Sequence, residues 1–236
     1  MREIEIADAT QRAGFDFVEG VFRAGRPPAA VAGTTRTLAS LDLGRLSLCH
    51  PREDLRRAAR AAIEALIDFS ASCGIGLVSF GSGRGLPSDI DRLCDELHPL
   101  FERAQARGVR LCIENVPGHV TQSREAMTEI VAAVEQAAIC LDVANTLFDG
   151  PLEPWFATFG RRIAKLHLGD ATISCEGRFV PALPGEGAVS WESVRAGLAG
   201  LPDDVCLVAE LLGGTVGAEE QFAAQGGTRL RALLAP

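Results

Sequence analysis

Short apolar runs with strand character alternate with longer segments of helical periodicity along almost the whole chain. That alternation restricts the fold more than any other feature, because consecutive parallel strands need a crossover of a dozen or more residues, usually a helix. Strands are expected at 15–20, 45–49, 76–80, 110–114, 139–142, 163–168 and 205–211, and helices at 51–72, 88–107, 123–136, 155–161, 191–198 and 219–234. Several strands follow a glycine that ends the preceding helix, at Gly14, Gly74 and Gly108, where the chain must leave the helical region. No linker interrupts the pattern, and the 236 residues fit one barrel-sized domain over 1–236. The count is seven strands where a closed (β/α)-barrel has eight. Residues 1–13 read as a helix running into Gly14, although Ile4 and Ile6 alternate like a strand. The expected fold is therefore a TIM-type barrel that lacks or distorts its first strand.

Strand parity then singles out a set of residues. Side chains alternate faces along a strand. In Leu111-Cys-Ile-Glu114 and Ile139-Cys-Leu-Asp142 the large aliphatic residues take one face, and Glu114 and Asp142 the other. His167 lies opposite Leu166 and Leu168, and Glu210 stands between Ala209 and Leu211. If the aliphatic face meets the helices, four metal-competent side chains converge on the barrel axis. Three carboxylates in a dry site repel one another unless a cation or a proton neutralises them. One imidazole and three carboxylates form a hard, oxygen-rich site that suits Mn²⁺ or Mg²⁺, with Co²⁺ or Zn²⁺ as alternatives. Lys165 also points inward, and a buried ammonium needs a partner, for which Glu19 is placed.

The segments Gly14-Phe-Asp-Phe-Val-Glu19, Leu111-Cys-Ile-Glu-Asn-Val-Pro-Gly118, Cys140-Leu-Asp142, Ile163-Ala-Lys-Leu-His-Leu-Gly-Asp170, Gly185-Glu-Gly187 with Trp191, and Leu207-Val-Ala-Glu210 come in a recognisable order. Together they resemble the xylose-isomerase-like barrels, a superfamily of sugar isomerases, sugar-phosphate epimerases and endonucleases. The resemblance implies that Glu114, Asp142, His167 and Glu210 bind one divalent ion. It implies that Glu114 and Glu210 act as acid and base on a small sugar, keto-sugar or polyol through an enediolate. It also points to Asn145 and Arg178 as substrate contacts; His119, five residues after Glu114 on the loop above the barrel, is a further candidate, and Asp170, three after His167, is either a loop or cap carboxylate or a support or substrate contact. Asn145 stands where the epimerases usually carry a histidine, and an amide cannot carry a proton near neutral pH. Phe80 occupies the position of an endonuclease histidine, and Cys175-Glu-Gly-Arg-Phe-Val replaces the Asp-x-His expected there, so a trinuclear zinc phosphodiesterase is set aside. Two alternatives stay open: a metal-dependent lyase or dehydratase, since proton abstraction beside a carbonyl starts that reaction too, and a degenerate, non-catalytic binding protein.

Composition narrows the partners. With 23 Lys and Arg against 31 Asp and Glu, the net charge is −8, which disfavours nucleic acid. Arg52, Arg56, Arg57 and Arg60 interleave with apolar residues and read as a solvated helix face. No segment is long and apolar enough to span a membrane. None of the seven cysteines forms a C-x-x-C pair, which points to a reducing, cytoplasmic setting. The start carries no signal-peptide core. A homo-oligomer is compatible with all of this.

Overall fold

The computed structural model describes residues 10–24, 37–212 and 219–235. Seven parallel strands pair in the order β1 (Val18–Arg23), β2 (Thr37–Asp42), β3 (Leu77–Phe80), β4 (Arg110–Glu114), β5 (Ala138–Asp142), β6 (Ile163–His167) and β9 (Cys206–Val208). Helices α1 (Glu53–Ser72), α2 (Ile90–Ala106), α3 (Arg124–Ala133), α4 (Glu153–Phe159), α5 (Trp191–Leu198) and α6 (Glu219–Leu234) accompany them. The result is a nearly closed TIM-type barrel. A separate antiparallel hairpin, β7 (Asp170–Ile173) with β8 (Phe179–Ala182), follows β6; nothing in the sequence reading anticipates it.

The expected parity is observed. Leu111, Ile113, Ile139, Leu141, Leu166 and Leu168 belong to the large cluster between sheet and helices. Leu38, Leu77, Cys112, Ala138, Cys140, Ala164 and Val208 form a smaller cluster inside the barrel. A register shift helps set the height of the site. Ile139 pairs with Ile163 but Cys140 pairs with Lys165, so Ala164 is the extra residue of a bulge. Without it, Ile163 and Lys165 would share a face. With it, Ile163 joins the outer core while Lys165 and His167 sit in register with Cys140 and Asp142.

The second strand corrects the sequence reading. Residues 45–49 are not a strand; β2 lies earlier, at Thr37–Asp42. Leu48 and Cys49 are buried, at 0% and 2% exposure, which gives 45–49 its strand-like pattern. Their backbone bonds, however, go to a packed loop. Ser47 Oγ donates to the Arg84 carbonyl, Cys49 N donates to Ser47 Oγ, and Leu48 N donates to the Ser82 carbonyl. The arginines of α1 differ in part too. Arg56 Nε and Arg60 Nη1 reach the buried Glu96 of α2 at 2.9 and 2.6 Å, so these two clamp α1 to α2, while Arg52 and Arg57 are exposed.

The barrel has one open seam. Among the described residues β9 and β1 end the sheet and share no ladder. A cavity of about 890 Å³ lies at the gap, lined by Phe15, Val21, Leu207 and Phe222 together with Glu19 and Glu210. The distortion expected at the first strand falls here. Residues 10–12 are helical; the remainder of the 1–9 expectation lies outside the described residues.

The outer core is anchored by Trp155, which is fully buried with its ring centroid 5.6 Å from that of Phe159. Trp155→Ala should lower unfolding stability by about 3–5 kcal/mol, read as a reduced urea midpoint at constant slope. An unchanged midpoint would mean that the helix layer is not held through α4.

Candidate metal centre

Glu114, Asp142 and His167 are the last residues of β4, β5 and β6, and Glu210 lies two residues past the end of β9. The structure brings all four together: each offers one ligand atom, and these atoms lie within 4.8 Å of one another. Cys140, one turn of the pleat below, forms a second possible donor group with Glu114 and His167. His167 Nδ1 stands 3.0 Å from Glu210 and 3.5 Å from Glu114, and Nε2 stands 2.9 Å from Glu19. These are ion-pair distances only, since neither ring nitrogen has an aligned hydrogen bond. A 2%-exposed imidazole with both nitrogens orphaned is costly, and an ion at Nδ1 is a partner that the carboxylates would share. The residues present therefore fit a divalent cation.

The electrostatics agree. Burial, then the neighbouring Glu210 carboxylate, push Asp142 well above the usual carboxylate range. Burial acts the same way on Glu210, but His167 outweighs it and holds Glu210 low. Burial would depress His167, yet Cys140 and Glu114 raise it well above its ordinary value. Burial pushes the Cys140 thiol up to about 11. Such groups close together cannot all ionise without a counter-charge.

Neighbouring residues fix these candidate ligands. Asn115, fully buried, bridges β4 to β5: its Nδ2 donates to the Asp142 carbonyl at 3.0 Å and its Oδ1 accepts from Asp142 N at 2.7 Å. Thr121 Oγ1 donates to the Glu114 carbonyl at 2.6 Å. Asp142 Oδ1 accepts from Ala144 N and Asn145 N at 2.8 and 3.0 Å, which leaves Oδ2 for an ion. Sequence reasoning missed Asn115 and Thr121. An Asn directly after a strand-end acid is the signal that marks the first; the second has none.

The other singled-out residues fall in different places. Asn145 follows Asp142 by three and starts a short 3-10 turn, half-buried. His119 packs against Gly81, where a Cβ would come within 2.8 Å of its Nδ1, and burial, then Arg84, lower it to about 4. Arg178 sits on the β7–β8 hairpin, its side chain 75% exposed and ion-paired to Glu176. Asp170 is fully engaged. Its carboxylate accepts from the backbone N–H of Ala171, Gly185, Gly187 and Val189 and from Trp191 Nε1, all at 2.8–3.1 Å. Gly187 permits this, since a Cβ there would lie 2.1 Å from Asp170 Oδ1. The Gly185-Glu-Gly187…Trp191 pattern is thus a collar around Asp170.

A family model described as xylose isomerase-like TIM barrel matches residues 7–232. Among solved structures, D-psicose 3-epimerase with D-tagatose from Clostridium cellulolyticum H10 is similar at a TM-score of 0.77 and 17% identity, over 100% of this chain and 95% of that one. The IOLI protein with a binding zinc atom is similar at 0.77 and 17% identity, over 96% and 91%. A xylose isomerase-like TIM barrel protein from Mycobacterium smegmatis in complex with magnesium follows at 0.69 and 16%, over 99% and 89%. No curated protein matches in sequence.

Two outcomes are expected. Asp170→Ala orphans several buried donors at about 1–3 kcal/mol each, so chemical denaturation should show a loss of at least 3 kcal/mol and limited proteolysis should cut within 183–190; resistance there would remove the collar role. Folded His119 is neutral above about pH 4, because burial lowers its value from 6.5 to about 4. The unfolded chain therefore binds the extra proton, and the stability that His119 contributes is full above about pH 6.5 and lost as pH falls towards 4. Between those limits His119→Gln should flatten the decline by at most about 3 kcal/mol; parallel curves for the two proteins would refute a buried neutral His119.

Proposed function

Because the chain belongs to the xylose isomerase-like TIM-barrel family, we propose that it is a divalent-metal-dependent isomerase or epimerase of a small sugar, keto-sugar or related polyol. The observation that carries this reading is the placement of Glu114 and Glu210 on one imidazole nitrogen, 3.5 and 3.0 Å from His167 Nδ1, within a four-donor cluster. A bound ion supplies two things there: it neutralises the carboxylates and polarises a substrate carbonyl, so that the adjacent C–H becomes acidic.

The chain's own residues do the rest. One glutamate takes the proton from the carbon beside the carbonyl; the other returns a proton to the opposite face of that carbon, or to its neighbour. The first outcome inverts the centre and the second moves the carbonyl. Asp142 and His167 hold position, with Asn115 and Thr121 locking the strand ends beneath them. Asn145 and His119 are read as contacts for substrate hydroxyls, Asp170 as the residue that shapes the adjacent collar, and Arg178 as a contact that the hairpin would have to bring in. Similar barrels were solved with D-tagatose and with D-allulose, which supports a keto-sugar as the first substrate class to try.

One observation favours a second reading. Glu210 is 35% exposed and lines the open seam, so one member of the acid–base pair is accessible to solvent. That would suit a degenerate site that binds without turnover.

Chelation should lower the melting temperature, and Mn²⁺ at a hundred times its dissociation constant should restore about 5–10 °C. Glu114→Gln, Asp142→Asn, His167→Ala and Glu210→Gln should each cut metal affinity or turnover by at least about tenfold, whereas Asn145→Ala should raise KM for the sugar with the metal retained. The check is a metal titration followed by sugar interconversion, with product mass unchanged. Metal binding without interconversion of any keto-sugar would favour the degenerate reading, and full activity after chelation would end the metal reading.

A further inference from the structure

Below the metal ligands lies a second charged layer that the proposed chemistry does not use. Lys165 is 0% exposed, and its ammonium donates to the Glu19 carboxylate, to the Ala39 carbonyl at 3.2 Å and to Ser79 Oγ at 3.0 Å. Its three protons are thus all placed. Glu19, with an 8%-exposed side chain, gives one oxygen to Lys165 and turns the other to His167 Nε2 at 2.9 Å. The closest approach of Glu114 and of Glu210 to the ring is at Nδ1, whereas that of Glu19 is at Nε2. The imidazole is bracketed: two prospective ligand carboxylates on one nitrogen, one anchored carboxylate on the other.

We infer that Glu19, anchored by Lys165, is a positioning residue that keeps the His167 proton on Nε2 and so commits Nδ1 to the metal. The reason is a matter of donors and acceptors. A neutral imidazole has one of each, and a fixed anion beside Nε2 stabilises the tautomer with the proton there. A metal-bound histidine needs such a partner to hold its ring and raise its basicity. Lys165 makes the partner permanent, because an ammonium on the far oxygen keeps the carboxylate charged and aimed. The N–H axis does not yet point along the contact, so the restraint acts first through charge and tautomer. The sequence pairs Glu19 with Lys165 alone; the structure also places it 2.9 Å from His167 Nε2. This inference rests on the metal reading proposed above.

The test uses full-length protein with Zn²⁺, which is diamagnetic. Glu19→Gln alone leaves Lys165 unpaired, so two double variants without a buried net charge are compared. Glu19→Gln with Lys165→Met keeps an acceptor facing Nε2; Glu19→Leu with Lys165→Met keeps none. Zinc affinity is read by chelator competition, and the state of the His167 ring by its ¹⁵N shifts. The expected result is zinc on Nδ1 and a proton on Nε2 in the wild type. The Gln/Met variant should bind within about fivefold of it, and the Leu/Met variant about 10–100-fold more weakly. Equal zinc affinity in the Leu/Met variant, or zinc on Nε2 in the wild type, overturns the inference with the metal reading intact. A wild type that binds no zinc, Mn²⁺ or Mg²⁺ overturns the metal reading itself and this inference with it. Should a double variant fail to fold, the wild-type spectrum still decides which nitrogen holds the ion.

Discussion

Charge enclosed in the barrel is the constraint on which everything else depends. An ammonium, an imidazole and four carboxylates lie inside a tube whose floor is Leu38, Leu77, Cys112, Ala138 and Ala164. A charge moved there from water costs several kcal/mol unless it is paired and hydrogen-bonded. The chain meets this by layering. At the lower level Lys165 and Glu19 balance, helped by Ala39 and Ser79. At the upper level three carboxylates face a single imidazole, and among the described residues no Lys or Arg ion-pairs with Glu114, Asp142 or Glu210. The imbalance is local and one-signed, which is the condition a divalent cation relieves.

Layering of this kind depends on backbone detail. The bulge at Ala164 lifts Lys165 and His167 into step with Cys140 and Asp142. The loops then fasten the strand ends. Asn115 ties β4 to β5, Thr121 holds the Glu114 carbonyl, and Asp170 gathers the loop between β8 and α5. These polar residues spend their capacity mostly on backbone groups, and carboxylate oxygens of the candidate metal cluster stay free for an ion. Precision at a site comes from such outer contacts as much as from the ligands.

The seam is the exception to closure. Where β9 and β1 fail to pair, Val21, Leu207 and Leu212 are exposed at 67%, 40% and 47%. The cavity between them reaches Glu19 and Glu210. The two residues on either side of His167 therefore border the least sealed part of the wall. That ties the metal chemistry to the completeness of the barrel rather than to the ligand set alone.

Much of this was legible in the chain. Alternating periodicity encoded the parallel barrel, and strand parity put Glu114, Asp142, His167 and Glu210 on one axis and Lys165 beside Glu19. Those are local properties, set by which face each side chain takes. Other features were not legible. The strand-like burial of Leu48 and Cys49 concealed a loop, because burial alone does not say whether a backbone pairs with a strand or with the Ser47 hydroxyl. The collar partners of Asp170, the Asn115 bridge, the Ala164 bulge and the nitrogen of His167 that faces Glu19 needed the assembled barrel. The Lys165–Glu19 contact joins residues 146 positions apart. Sequence periodicity fixes the face of a residue, and only the packing of distant strands around one axis decides which atom it meets there.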